Sequence, residues 1–152
     1  MINIREAIEK DIDAMEIIET ASFSVPWSRQ AFEESFENKY MKLFVAEDEE
    51  MVIGYSIMGL MVPDAEILNI AVDHNYRRQG IGEMLFDTLI AFGDKEDVSD
   101  FFLEVRESNE PAIELYRKKG LEVIGKRKDY YQMPVEDAVL MHYKNESGEI
   151  LC

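Results

Sequence analysis

Hydrophobic and polar positions along the chain change period several times, and each change marks an element. Ile2-Asn3-Ile4-Arg5 alternates and predicts a short strand. Ile12, Met15, Ile18 and Glu19 recur at helical spacing behind Asp11, which predicts a helix capped by Asp11 and running through Thr20. The loop Ser22-Phe23-Ser24-Val25-Pro26-Trp27 follows. Ser28 then caps a second helix, from Arg29 to about Phe36, with Pro26 setting its approach. Lys42 to Ala46 and Met51 to Val62 read as strands joined by a turn over Glu47-Asp48-Glu49-Glu50. After a turn at Pro63-Asp64, Ala65 to Val72 is almost continuously apolar, which predicts a strand in mid-sheet buried on both faces. Ile81, Met84, Leu85, Thr88, Leu89 and Phe92 return to helical spacing, with an end expected near Gly93. Asp100 to Arg106 is a further strand. Ser108 or Asn109 caps a helix through about Lys119, which Gly120 stops. Leu121 to Ile124 and Ala138 to Tyr143 close the series as an antiparallel pair.

The order β-α-α-β-β-β-α-β-α-β-β is not the strict alternation of a doubly wound sheet, and it predicts a single α/β domain with a mixed sheet and helices on its faces. At 152 residues the chain can bury a sizeable core without disulfide or metal staples. A domain over 1–145 with a short tail over 146–152 is expected. Cys152 is the sole cysteine, so no internal disulfide is possible, and His74 and His142 have no ligand spacing; no metal is expected. No apolar run reaches membrane-spanning length, and the first residues do not resemble a signal peptide, which makes a cytoplasmic protein the expectation. The net charge of -16 repels nucleic acid and anionic membranes and favours a cationic partner.

Against that acidic background, Arg77-Arg78-Gln79-Gly80-Ile81-Gly82 stands between a strand and a helix. Glycines permit a tight turn and close approach to backbone amides, and the helix start adds free N–H groups and a positive dipole end. Arg77 or Arg78 can add charge-assisted bonds to phosphate oxygens. The Walker pattern is excluded because Gly82 is followed by Glu83-Met84, and the dinucleotide fingerprint because position 85 is leucine.

This turn resembles the pyrophosphate motif of the GNAT superfamily of N-acetyltransferases, (Gln/Arg)-x-x-Gly-x-(Gly/Ala), and Asn69-Ile70-Ala71-Val72-Asp73 resembles its central strand. Within the superfamily, the resemblance is to RimI-type enzymes, bacterial N-terminal alanine acetyltransferases of a ribosomal protein. It is carried by Pro26-Trp27-Ser28, Leu103-Glu104-Val105-Arg106-x-Ser108-Asn109, Ala112-Ile113-x-Leu115-Tyr116 and Arg127-x-x-Tyr130-Tyr131. The resemblance implies a mostly antiparallel GNAT-like sheet, acetyl-coenzyme A as cosubstrate and the N-terminus of a ribosomal protein as acceptor. Cofactor contacts are then expected from Ile70, Ala71, Val72, Arg77, Arg78, Gln79, Gly80, Ile81, Gly82, Glu83 and Asn109. Many relatives carry a cation where Glu83 stands, so the grip there is expected from backbone amides.

Glu104 shares a strand face with Phe102, and alternation alone reads equally as a carboxylate that faces water. A carboxylate in apolar company holds a proton more tightly, as a general base requires, and the matching glutamate of RimI-type enzymes is the proton acceptor. The resemblance makes Tyr116 the acid that protonates the departing thiolate and places an oxyanion donor at the backbone N–H near Val72. Asn109 reads as a helix cap, a contact to the pantetheine arm, or both. Trp27, Tyr130 and Tyr131 fall in stretches that read as loops, where the family builds its peptide groove; Trp27 reads equally as a core anchor. Glu33, Glu34 and Asp64 are alternatives for receiving a basic second residue. The competing readings are an acetyltransferase for a small amine such as a polyamine, and a non-catalytic acyl-coenzyme A-binding protein.

Overall fold

A computed structural model of the chain describes residues 1–145; the expected tail, with Cys152, lies outside the described residues. In chain order the elements are β1 (Ile2–Glu6), α1 (Ile12–Ser22), α2 (Arg29–Glu37), β2 (Met41–Asp48), β3 (Met51–Met61), β4 (Asp64–Val72), α3 (Ile81–Lys95), β5 (Asp100–Arg106), α4 (Glu110–Lys118), β6 (Glu122–Tyr131) and β7 (Glu136–Lys144). The strands form one sheet in the order β1-β2-β3-β4-β5-β7-β6. Every neighbouring pair is antiparallel except β4 and β5, which run parallel. No helix among the described residues is long and apolar enough to cross a membrane.

The two faces of the sheet carry different helices. On one, Phe86 and Leu89 of α3 pack on Ala65, Ile67, Phe101, Leu103 and Val105. On the other, Met15 and Ile18 of α1 and Phe32 of α2 pack on Val45, Tyr55, Ile57 and Ala71. Each fully buried side chain of this size contributes about 1.5–3 kcal/mol. An exposed ion pair such as Lys42–Glu6 contributes about 0–1 kcal/mol, so the two apolar layers hold the fold. Helix α4 is the least embedded of the four α-helices: none of its residues is fully buried. It is held by the Tyr116 ring against Phe86 and by Lys118 and Lys119 on Glu83 and Asp87.

Several expected boundaries move, each for a local reason. Asp11 does not cap α1 with its side chain; it closes a 3-10 turn over Glu9–Asp11 and accepts from Ile8 N–H and both Arg5 Nη atoms. The β2–β3 turn is Glu49-Glu50 alone, both at positive φ as a two-residue hairpin turn requires, so Glu47 and Asp48 belong to the strand. Helix α3 passes through Gly93, which is buried within it; a Cβ there would lie 2.5 Å from Phe101 Cζ, so close packing rather than termination accounts for the glycine. Strand β6 continues to Tyr131, its polar sequence being that of an exposed edge strand. Strand β4 is central, but Leu68, Asn69 and Ile70 are only half-buried, because β5 has left its side by that point.

Candidate active site

Strands β4 and β5 pair only from Asp64–Ile67 to Asp100–Leu103 and then diverge. The β3–β4 register slips at the same place: Ile57 faces Asn69 while Met58 faces Ile67, leaving Leu68 as an extra residue. A bulge and a split therefore coincide, and from Leu68 to Val72 the β5-facing edge of β4 is open. Asp73 N–H donates to Ile53 O on β3 at 2.7 Å. Because successive strand amides face opposite edges, the N–H of Val72 faces the open edge. The Val72 carbonyl accepts from Arg77 Nε at 3.2 Å, which places Arg77 at the mouth of the split.

The turn beyond β4 has Arg78 at φ 65 and Gly80 at φ 79, and nothing lies within 4 Å of where a Gly80 side chain would start. Gly80 is the N-cap of α3 and its carbonyl accepts from Met84 N–H at 3.0 Å. The amides of Ile81, Gly82 and Glu83 thus precede the first intrahelical bond, as an anion site at a helix start requires. Side chains and amides divide the work here. Ile81 buries its side chain with Ala46, Ile53 and Leu85, and Ala71 buries its own beneath α1 and α2. Glu83 lies 3.1 Å from Lys118 and 3.6 Å from Lys119, and Lys118 holds its carboxyl below the usual range. The negative charge that Glu83 brings to the helix start is therefore offset by Lys118 and Lys119 at the end of α4. Gln79 is exposed, and Asn109 caps α4, its Oδ1 accepting from Ala112 N–H at 3.3 Å.

Along β5 burial alternates: Phe101, Leu103 and Val105 are buried beneath α3, whereas Phe102, Glu104 and Arg106 are half-buried on the opposite face. Glu104 Oε2 is shielded from solvent, makes no hydrogen bond and lies 3.7 Å from Arg127 Nε. Its charge reaches several neighbours. It is the main cause raising the Tyr130 hydroxyl, and it adds to burial in raising the Glu66 carboxyl. Burial first, and Glu104 second, push Tyr131 up to about 12. Tyr130 and Tyr131 sit at the end of β6 rather than in a loop, with ring centres 5.1 Å apart. Tyr116 packs from the α3 side, its ring centre 5.7 Å from Phe86, and burial pushes it up to about 12. It is protonated at neutral pH and can donate.

Trp27 is half-buried, with its ring tilted on Phe32 at 5.4 Å, which favours the anchoring role. Two acidic candidates stay on the outer surface of α2, Glu33 pairing with Arg29 and Glu34 accepting from Gln30. Asp64 faces Asp100, about four strand positions or ~13 Å from the level of Glu104, so it does not line the split. Glu66, two residues further along β4, is nearer.

Sequence reasoning missed two side chains that organise the surroundings. Glu19 is buried at an apolar position of α1 and accepts from Trp27 N–H at 2.8 Å, Asn69 Nδ2 at 2.9 Å and the Tyr55 hydroxyl. A charge on the buried stripe of a helix was the available signal. Arg106 hydrogen-bonds into both the α1–α2 loop and the β6–β7 loop, and nothing local in the sequence foretells its partners.

Residues 12–121 match the sequence profile of the acetyltransferase (GNAT) family. A Bacillus subtilis (strain 168) protein, provisionally named a [ribosomal protein bS18]-alanine N-acetyltransferase, is 39% identical over 139 residues, covering 91% of this chain and 92% of its own. The Escherichia coli (strain K12) [ribosomal protein bS18]-alanine N-acetyltransferase is 34% identical over 133 residues, covering 86% of this chain and 89% of its own. The crystal structure of the ribosomal-protein-S18-alanine N-acetyltransferase from Escherichia coli superposes with a TM-score of 0.89 at 32% identity, over 95% of this chain and 94% of that one.

Proposed function

Because the chain belongs to the acetyltransferase (GNAT) family, whose cosubstrate is acetyl-coenzyme A, we propose that it acetylates the N-terminal alanine α-amine of a ribosomal protein. The observation that carries this reading is the open edge of β4, which runs from the free amides of α3 to the level of Glu104. The acceptor comes from relatives named for that activity and alike over nearly the whole chain. Residues 1–145 form the catalytic unit, and the reaction takes place in the cytoplasm, where ribosomal proteins are made. The acidic surface disfavours nucleic acid and anionic membranes as partners.

The fit to acetyl-coenzyme A rests on the chain's own groups. The amides of Ile81, Gly82 and Glu83, with Arg77, Arg78 and Gln79, hold the pyrophosphate; the open edges of Ile70 and Val72, with Asn109, take the pantetheine arm. The bound cosubstrate supplies an electrophilic thioester carbonyl and a thiolate leaving group. Glu104 takes a proton from the α-ammonium, directly or through a water. At pH 7 an α-amine of pKa ~7.7–8.0 costs about 1 kcal/mol to deprotonate, whereas a lysine at ~10.4 costs about 4.6 kcal/mol, so a modest base suits the N-terminus. The Val72 N–H is the donor for the charge that develops on the carbonyl oxygen. As the amine nitrogen bonds the carbonyl carbon and the C–S bond breaks, Tyr116, protonated at neutral pH, gives its proton to sulfur, and the second proton that nitrogen sheds on becoming an amide is returned to Tyr116 through solvent. Tyr130 and Tyr131 line the acceptor groove, and Trp27, anchored on Phe32, supports it from behind.

The test is incubation with acetyl-coenzyme A, a peptide starting with alanine and a panel of small amines, with the acetyl group located by mass spectrometry. Acetylation confined to an internal lysine, or to a polyamine, refutes the assignment. Glu104→Gln is expected to lower turnover about 10²–10⁴-fold while leaving cosubstrate affinity unchanged. Equal losses in both would remove its role as base.

A further inference from the structure

Arg106 follows Glu104 by two positions on the same face of β5. Its guanidinium reaches four acceptors from three segments. Nη1 donates to Pro134 O at 3.0 Å and Glu136 Oε1 at 3.1 Å; Nη2 donates to Gln132 O at 2.6 Å and Ser24 Oγ at 3.1 Å. The guanidinium carbon also lies 4.7 Å from the Tyr131 ring centre. Ser24 belongs to the loop between α1 and α2, and Gln132 and Pro134 to the loop between β6 and β7. Among the described residues no other side chain hydrogen-bonds to both loops.

An exposed ion pair with Glu136 alone would do little. Here the side chain is only 24% exposed and three of its acceptors are uncharged, so the fork geometry of arginine matters more than its charge. The two carbonyls it holds in the β6–β7 loop flank Met133, whose φ of 54 lies in the left-handed region that L side chains avoid. Both loops then present apolar side chains outward: Phe23 and Val25 on one, Met133 and Val135 on the other. The two loops meet at Arg106, on the face of β5 that also carries Glu104, so these side chains offer apolar surface on the side from which an acceptor would reach it.

We propose that Arg106 is a positioning residue that holds the α1–α2 and β6–β7 loops together as the two walls of the peptide acceptor groove. The inference rests on the proposed peptide-acceptor reading. It makes Arg106 a determinant of acceptor binding that has no share in binding acetyl-coenzyme A or in moving the proton.

Steady-state kinetics of the full chain with an alanine-starting peptide test it, each substrate varied in turn. Arg106→Gln is expected to raise the peptide KM about tenfold, and Ser24→Ala, which removes only the cross-loop bond, about threefold. In both variants the KM for acetyl-coenzyme A stays within about twofold of wild type. Arg106→Lys keeps the charge without the fork and falls near Arg106→Gln. A fall in kcat with the peptide KM unchanged, or equal rises in both KM values, overturns the proposal; should Arg106→Gln fail to fold, Ser24→Ala decides. If the wild type acetylates no alanine peptide, the acceptor reading fails on its own account. The clamp is then judged by limited proteolysis, in which the Arg106 variant must be cut faster than wild type within 23–28 and 132–135. Unchanged cutting overturns it.

Discussion

Removing the Glu19 carboxylate is expected to destabilise the fold through the groups it leaves behind. In Glu19→Ala three donors lose their acceptor: the Tyr55 hydroxyl, the Asn69 amide and the Trp27 N–H. Tyr55 is 0% exposed, so its hydroxyl bears the full penalty of an unsatisfied buried group, about 1–3 kcal/mol. Asn69 and Trp27 are half-buried and recover part of their loss from water. An opposing term comes from the carboxylate itself: burial raises it above its ordinary value of 4.5 despite the three donors, so its removal relieves a desolvation cost. The balance is a loss of about 2–4 kcal/mol, read by urea denaturation followed by circular dichroism. Adding Tyr55→Phe removes the orphaned hydroxyl, so the double variant should be more stable than Glu19→Ala alone. The pH dependence has a definite sign. A carboxyl raised in the folded state binds its proton more tightly there, so its contribution is complete below 4.5 and is lost as pH rises through the folded value. The gap between wild type and Glu19→Ala should therefore narrow as pH rises above 4.5. A cost under about 1 kcal/mol, or a double variant as unstable as the sum of the two singles, would refute the reasoning.

Two further outcomes follow from contacts already described. Tyr116→Phe keeps the ring on Phe86 and loses only the hydroxyl, so turnover should fall about 10²-fold or more with folding and cosubstrate affinity unchanged. An unaltered rate would remove Tyr116 from the reaction. Gly93→Ala sets a helix-propensity gain of about 1 kcal/mol against overpacking of about 1–3 kcal/mol, because the new Cβ would lie 2.5 Å from Phe101 Cζ. Denaturation should show net destabilisation, and a more stable variant would mean that the Phe101 ring yields.

What the chain disclosed in one dimension was whatever depended on neighbours in one dimension. Ser28 and Asn109 act as caps because their partners, Ala31 N–H and Ala112 N–H, lie three residues on. Alternation along β5 placed Glu104 beside Phe102 because strand geometry needs no distant partner. Gly93 looks like a helix stop in the sequence because the reason for it is Phe101, a residue of another element. Most of β6 went unseen because an edge strand that buries almost nothing carries no hydrophobic period. Glu19 and Arg106 were hidden more deeply, since their bonds to Asn69 and Ser24 span 50 and 82 positions. The acidic residue nearest Glu104 across the sheet is Glu66 rather than Asp64, a fact of register that no spacing in the sequence encodes.

The parting of β4 from β5 opens the sheet between the layer that carries α1 and α2 and the layer that carries α3 and α4. With Glu104 on the first side and Tyr116 packed from the second, amine and thioester would enter through separate doors and meet in the middle. Neither substrate would need to leave before the other arrives, and neither product would have to pass the other on its way out. Such a layout calls for a ternary complex with intersecting double-reciprocal lines, rather than a shuttle that carries the acetyl group on the protein.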